Sequence, residues 1–80
     1  MAWVNGSFKE DEQDNSKGWV SVDWDEAGTV VFTYRQHIDT TNNGIKTQFK
    51  TNANAAKNTF LAKQAKEANI GNIITTFMNA

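Results

Sequence analysis

The stretch that decides the fold is residues 19–38, WVSVDWDEAGTVVFTYRQHI. Apolar and polar side chains alternate on either side of the short segment Asp-Glu-Ala-Gly, which is typical of two strands joined by a tight turn. Val20, Val22 and Trp24 then share one face of the first strand. Gly28 supplies the positive φ that such a turn requires. The pattern predicts a β-hairpin with strands over residues 19–24 and 29–38 and a loop over residues 25–28.

The flanking segments extend this hairpin into a meander. Residues 3–9 read as a first strand, and the acidic residues 10–18 read as the loop that follows it. Asn43-Gly44 is a preferred pair for a type I′ turn, so residues 39–44 are expected to form a second hairpin loop. Residues 45–50, IKTQFK, alternate again and are expected to form a fourth strand.

Two helices are expected after the strands. Thr51 or Asn52 is a suitable N-cap. The alanine-rich sequence predicts a helix to about residue 69, which Gly71 would end. Residues 72–80 are expected to form a short second helix whose apolar side chains recur at helical spacing and close the core. The alternative for this apolar row is a protein–protein surface. The row consists of Ile70, Ile73, Ile74, Phe77 and Met78.

These elements predict one domain over residues 1–80. Its fold class is α+β, with an antiparallel meander of three or four strands followed by one long and one short C-terminal helix packed on one sheet face. A chain of 80 residues buries only about 60% of its unfolded surface, so its stability is marginal. Because the chain has no Cys, disulfides are excluded, and self-association is the expected extra source of stability.

The two halves of the chain carry opposite charge. Residues 1–39 contain eight acids and three bases, whereas residues 40–80 contain five bases and one acid, which leaves a net charge of −1. Such asymmetry is a hint about partners and association rather than about a reaction. If folding brings the halves together, the split is internal complementarity of little functional value, since exposed pairs contribute only about 0–1 kcal/mol each. If folding keeps the halves apart, an oppositely charged partner or head-to-tail association is favoured.

The chemical inventory argues against catalysis and cofactor binding. His37 is the only candidate for acid–base chemistry near neutral pH, and the most economical interpretation is an exposed strand residue. Asp23, Asp25 and Gly28 resemble the start of a calcium loop, but the twelfth position is Tyr34 instead of a bidentate Glu. We therefore expect no enzyme activity, no catalytic residue, no cofactor and no metal site.

Residues 19–68 resemble one known family. Phe49-Lys50-Thr51 stands at a predicted strand-to-helix junction, and Ala56 and Phe60-Leu61 lie inside the following helix. This arrangement resembles the AP2-like amino-terminal DNA-binding domains of phage and transposon integrases. The resemblance implies a sheet that enters the major groove of duplex DNA. It also implies that the contacting residues would be Arg35, His37, Lys46, Gln48 and Lys50.

The sequence favours a small non-enzymatic protein–protein interaction module that associates with itself or with another protein. The composition, with ten Asn, nine Thr and no Pro, suits a small phage or mobile-element gene. DNA binding through the sheet is the alternative, although the net charge of −1 disfavours it because phosphate neutralisation dominates DNA affinity. The candidate interaction surface comprises Trp3, Trp19, Val31, Arg35, His37, Lys46, Gln48 and Lys50.

The sequence predicts no membrane association. No apolar run approaches the ~20 residues that a membrane-spanning helix needs. Residues 1–15 show no signal-peptide pattern, so a cytoplasmic location is the default expectation.

Overall fold

A three-stranded antiparallel sheet and one long helix make up the molecule. The computed structural model describes residues 1–80 and contains β1 (Ala2–Glu10), β2 (Lys17–Glu26), β3 (Thr29–Asp39) and α1 (Ile45–Met78). The strands lie in the order β1-β2-β3, and each pairs with its sequence neighbour. The predicted α+β meander is therefore confirmed, with three strands and one helix.

The turn between β2 and β3 is shorter than the sequence suggests. Ala27 and Gly28 have φ values of 55° and 83°, and Glu26 pairs directly with Thr29. Positive φ at both central residues is the signature of a primed two-residue hairpin turn, whose twist matches that of the strands. Asp25 and Glu26 are therefore strand residues, which corrects the predicted four-residue loop.

The sheet has one face against the helix and one outer face. Antiparallel pairing places Trp24 opposite Trp3 on β1 and Phe32 on β3, and it places Val22 opposite Tyr34. These side chains face α1. The alternate residues point outward, so that Trp19 lies opposite His37 and Ser21 opposite Arg35. The predicted common face of Val20, Val22 and Trp24 agrees with this register.

Aromatic contacts hold α1 against β3. The rings of Phe32 and Phe60 stack with centroids 5.0 Å apart, and those of Tyr34 and Phe49 lie 5.4 Å apart. Ala53 comes between these two contacts along the helix and is the buried apolar residue of the core. A small side chain at this position lets the helix backbone approach the sheet closely.

A second cluster ties α1 to β1 and β2. The rings of Trp3 and Trp24 meet edge to face at 5.2 Å. The Trp3 indole N–H donates a hydrogen bond of 3.0 Å to the Asn54 side-chain oxygen. The Lys57 ammonium lies 3.9 Å from the centre of the Trp24 ring, which is a close cation–π contact. This corner fixes the rotation of the helix about its axis.

The predicted fourth strand is instead the first part of α1. Gly44 precedes the helix with a φ of −92°, which is incompatible with the type I′ turn expected at Asn43-Gly44. Ile45, Phe49 and Ala53 lie four residues apart and continue one helical stripe onto the sheet. Six residues are too few to separate a period of 2 from a period of 3.6, and packing against the sheet selects the helix.

The predicted second helix is the continuation of the first. α1 runs through Gly71 to Met78 without a break and spans 34 residues, or about 51 Å at 1.5 Å per residue. A glycine within a helix costs only about 1 kcal/mol relative to Ala, and no Pro is present. Gly71 therefore does not end the helix.

The long helix gives the molecule an extended shape. Its dimensions are 61 × 22 × 22 Å, and its radius of gyration is 17.5 Å, whereas a compact chain of this length would have about 12 Å. Gly18 and Ala53 are the two buried residues. The isolated chain thus has a thin core and a large exposed apolar surface.

Candidate interaction surfaces

The helix divides into a sheet-bound half and a free half. In residues 45–61, hereafter the proximal half, several side chains are buried or half-buried by the sheet. In residues 62–78, the distal half, every side chain is exposed. The distal half extends past the β2–β3 turn, because the helix runs from the Asp39 end of β3 towards its Thr29 end and is longer than the sheet.

An apolar row covers one side of this free half. Ile73 is 58% exposed and Phe77 is 74% exposed, and residues 68–80 contain no charged side chain. Four large side chains at i, i+3, i+4 and i+7 form a continuous stripe on a helix. We call this stripe the distal row, and it consists of Ile70, Ile73, Ile74 and Phe77. Met78 extends its edge and is also exposed.

The distal row corrects the expectation that these residues close the core. The sequence pattern is that of a buried helix face, which predicts a core role. In the structure nothing lies against the row, because the sheet ends near the middle of the helix. Exposure of such a row is what the alternative interpretation, a protein–protein surface, predicts.

A second candidate surface lies on the outer face of the sheet. The Trp19 ring lies 5.1 Å from the His37 ring, and the Arg35 guanidinium lies over the same indole at 5.5 Å. The His37 Nε2 atom contacts the Asp11 carboxylate at 2.7 Å. The structure therefore brings together three of the predicted surface residues and adds an acidic residue from the loop between β1 and β2.

An open depression adjoins the Trp19 ring. It has a volume of about 670 Å³, and its lining combines acidic side chains of the loop between β1 and β2 with basic side chains of the sheet around one aromatic ring. Such a lining has no dominant charge and does not select an anion or a cation. The lining residues are Lys9, Glu10, Asp11, Glu12, Gln13, Asp14, Lys17, Trp19 and Arg35.

Folding leaves the two charged halves of the chain unpaired with each other. Ion pairs join Asp14 to Lys17 at 3.9 Å and Lys63 to Glu67 at 4.0 Å, and the Asp11 carboxylate contacts His37 Nε2 at 2.7 Å. Each pair lies within one half of the sequence. The acidic loop therefore contacts basic side chains of the sheet rather than those of the helix.

Local hydrogen bonds stabilise the charged form of several carboxyl groups. Hydrogen bonds from the Asn5 amide and the Thr33 hydroxyl lower the pKa of Asp23 below its usual value. The Ser16 hydroxyl and backbone N–H lower the pKa of Asp14, and Thr41 acts in the same way on the pKa of Asp39. These bonds fix the bulge in β1 and the two turns at the far end of the sheet.

The remaining predicted surface residues are placed elsewhere. Trp3 lies on the helix-facing side, where it contacts Trp24 and Asn54. Val31 is half-buried in β3, at the irregularity opposite Trp24 and Asp25. Lys46, Gln48 and Lys50 are exposed residues of α1. They do not share a sheet face with Arg35 and His37, because the expected fourth strand is absent.

No group of three or more His, Asp or Glu side chains is placed to hold a metal ion. No helix is both long enough and apolar enough to cross a membrane.

Comparisons with known proteins do not assign the chain to a family. No protein-family model matches the chain, and neither a curated protein nor a solved structure shows significant similarity to it. Of the two candidate surfaces, the distal row is the one made of apolar side chains alone.

Proposed function

We propose that this protein is a non-enzymatic interaction module that self-associates through the distal half of α1. The observation that carries this proposal is the exposure of the distal row on a helix that extends beyond its own sheet. Large apolar side chains arranged in one continuous patch are uncommon on the surface of a monomer and mark contact sites.

The energetics favour burial of the distal row in a complex. Complete burial of a side chain of this size contributes roughly 1.5–3 kcal/mol, and the row contains four such residues. An isolated helix end of this length is also only marginally stable in water, since helices in proteins depend on packing of an apolar face. Association would therefore stabilise both the row and the helix that presents it.

The absence of charge at residues 68–80 argues for an apolar protein partner. A second copy supplies such a surface at equal concentration, and symmetric self-association is the commonest form of assembly. The outer face of the sheet gives only weak support to the alternative function, which is DNA binding through the sheet. The acidic loop contacts His37 there, and three of the basic or polar residues expected at the groove lie on the helix instead.

Sedimentation velocity of the purified chain tests this proposal. We expect the wild type to associate at micromolar concentrations and Phe77→Asp to sediment as a monomer, because a carboxylate in an apolar contact is strongly disfavoured. Ala68→Asp places the same charge on the opposite side of the same helix and is the matched control, which should still associate. A wild type that remains monomeric at all accessible concentrations contradicts the proposal.

A further inference from the structure

The distal row has a counterpart of small side chains in the proximal half. Each residue of the row lies eighteen positions after a smaller residue. Eighteen residues are five turns at about 3.6 residues per turn, so the two sets lie on the same side of the helix. In the order of Ile70, Ile73, Ile74 and Phe77, the counterparts are Asn52, Ala55, Ala56 and Thr59. We call these four residues the small row.

The sheet reaches only the edge of this side of the helix, where the Asn52 amide donates a hydrogen bond of 3.2 Å to the Gln36 side-chain oxygen of β3. Phe49 and Phe60 point towards β3, while Asn54 and Lys57 point towards the two indoles of β1 and β2. At about 100° per residue, the small row lies roughly a quarter turn past the β3-facing side chains, away from β1. Three of its four residues are exposed, and Ala56 is half-buried.

We infer that a second copy of this chain binds along this side with its helix antiparallel to α1, so that each distal row packs against the small row of the other copy. This inference rests on the proposed self-association and specifies its geometry. With a two-fold axis near residues 64 and 65, Ala55 of one copy faces Ile74 of the other, and Ala56 faces Ile73. The ends of the contact pair Asn52 with Phe77.

Size complementarity supports the antiparallel arrangement. Small residues let helix axes approach closely, and large side chains from the other helix fill the space above them. A parallel pair of helices would instead place large side chains against large side chains at one end of the contact and small against small side chains at the other. Neither row contains a charged residue. The antiparallel pair also puts the two sheets at opposite ends of the assembly, where they do not compete for space.

The length of the contact suits a stable dimer. The segment from residue 52 to residue 77 extends over about 39 Å of helix. The two-fold axis generates two identical contacts, one at each end. Specific interfaces bury roughly 1,600 Å² in total, and two symmetric contacts divide that requirement between them.

The centre of the contact carries charge and predicts a salt response. Lys63 of one copy faces Lys66 of the other near the two-fold axis. The Glu67 carboxylate forms an ion pair with Lys63 of its own chain. Like charges at an exposed site repel, and salt screens this repulsion. Association through the two rows should therefore strengthen with ionic strength, whereas association between the acidic and basic halves of two copies would weaken.

Disulfide trapping between two variants tests the geometry, because the natural chain has no cysteine. Full-length Ala55→Cys and Ile74→Cys proteins are mixed and oxidised under mild conditions. We expect a mixed disulfide dimer as the main product. Neither variant alone should trap efficiently, because the two copies of either position lie about 28 Å apart along the helix pair. Ala68→Cys, on the opposite side of the distal half, is the control and should not trap with Ala55→Cys.

The outcomes separate this inference from the proposed function. If Ile74→Cys alone forms the disulfide dimer, distal rows pack against each other, so the antiparallel geometry is wrong while self-association stands. Equal trapping by the Ala68→Cys control would show random collision and would also overturn the geometry. If no pair traps and the wild type sediments as a monomer, the proposed self-association itself fails.

Discussion

The proximal and distal halves of α1 have similar sequence patterns and opposite surroundings. In the proximal half, Phe49 and Phe60 pack on aromatic rings of β3. In the distal half, Ile73 and Phe77 contact nothing outside the helix and are more than half exposed. A helical apolar stripe thus does not by itself show that the same chain buries that face of the helix.

The comparison predicts that equivalent substitutions in the two halves act through different equilibria. Phe60→Ala should destabilise the fold by about 3 kcal/mol, at the lower end of the range for Phe→Ala in cores because Phe60 is only half-buried. Phe77→Ala should leave the unfolding of the monomer nearly unchanged and should weaken association. Urea unfolding measured over a range of protein concentrations distinguishes the two effects.

The concentration dependence is the decisive part of that measurement. The loss of stability caused by Phe60→Ala should persist at high dilution. The loss caused by Phe77→Ala should appear only at concentrations where the wild type is associated, because binding stabilises the folded state by mass action. A Phe77→Ala effect that is independent of concentration would mean that Phe77 contributes to the fold of the single chain, contrary to the structure.

Gly71→Ala tests whether the two halves are one continuous helix. An added Cβ at Gly71 meets no atom within 4 Å, and Ala is favoured over Gly inside a helix by about 1 kcal/mol. The substitution should raise helicity measured by circular dichroism and stabilise the associated state. A loss of helicity would indicate that Gly71 ends a helix, as its sequence position suggests. Asn72→Ala, one position further along, is a control for added helix propensity without removal of a glycine.

The sequence predicts the sheet better than it predicts the helix. Alternation in residues 19–38, with a turn glycine at Gly28, is enough to identify the hairpin and its two faces. The start of α1 is not predicted correctly, because Ile45 and Phe49 fit both one face of a strand and one stripe of a helix. Packing on β3 decides between them, and that packing depends on Tyr34, which is distant in sequence.

The candidate surfaces also divide into a part that the strand pattern predicts and a part that depends on the helix. Trp19, Arg35 and His37 are placed together by strand pairing that the sequence already implies. The grouping of Lys46, Gln48 and Lys50 with them depended on a fourth strand, and it is lost when those residues become helical. The distal row is visible in the sequence as a stripe, but its exposure follows from the length of the helix relative to the sheet, which no local pattern contains.

Acidic pH should lower the stability of the sheet and leave the distal half of α1 unaffected. The pKa of Asp23 is lowered from its usual 3.8 by hydrogen bonds from Asn5 and Thr33, and no ionisable side chain follows Glu67 in the helix. For a carboxyl group whose pKa is lower in the folded state, the stabilisation is complete well above 3.8. It is lost as the pH falls through the folded value.

The expected result is a modest loss of stability below about pH 4 that Asp23→Asn reduces. Thermal unfolding followed from neutral pH to pH 2.5 for both proteins measures this difference, which should be small because the carboxylate is exposed. The difference between wild type and variant should shrink as the pH falls, since a protonated Asp23 and an Asn carry the same charge. A difference that stays constant over the whole range would show that Asn perturbs the site by shape alone. The charged hydrogen bonds would then play no part in holding β1 to β3 through β2.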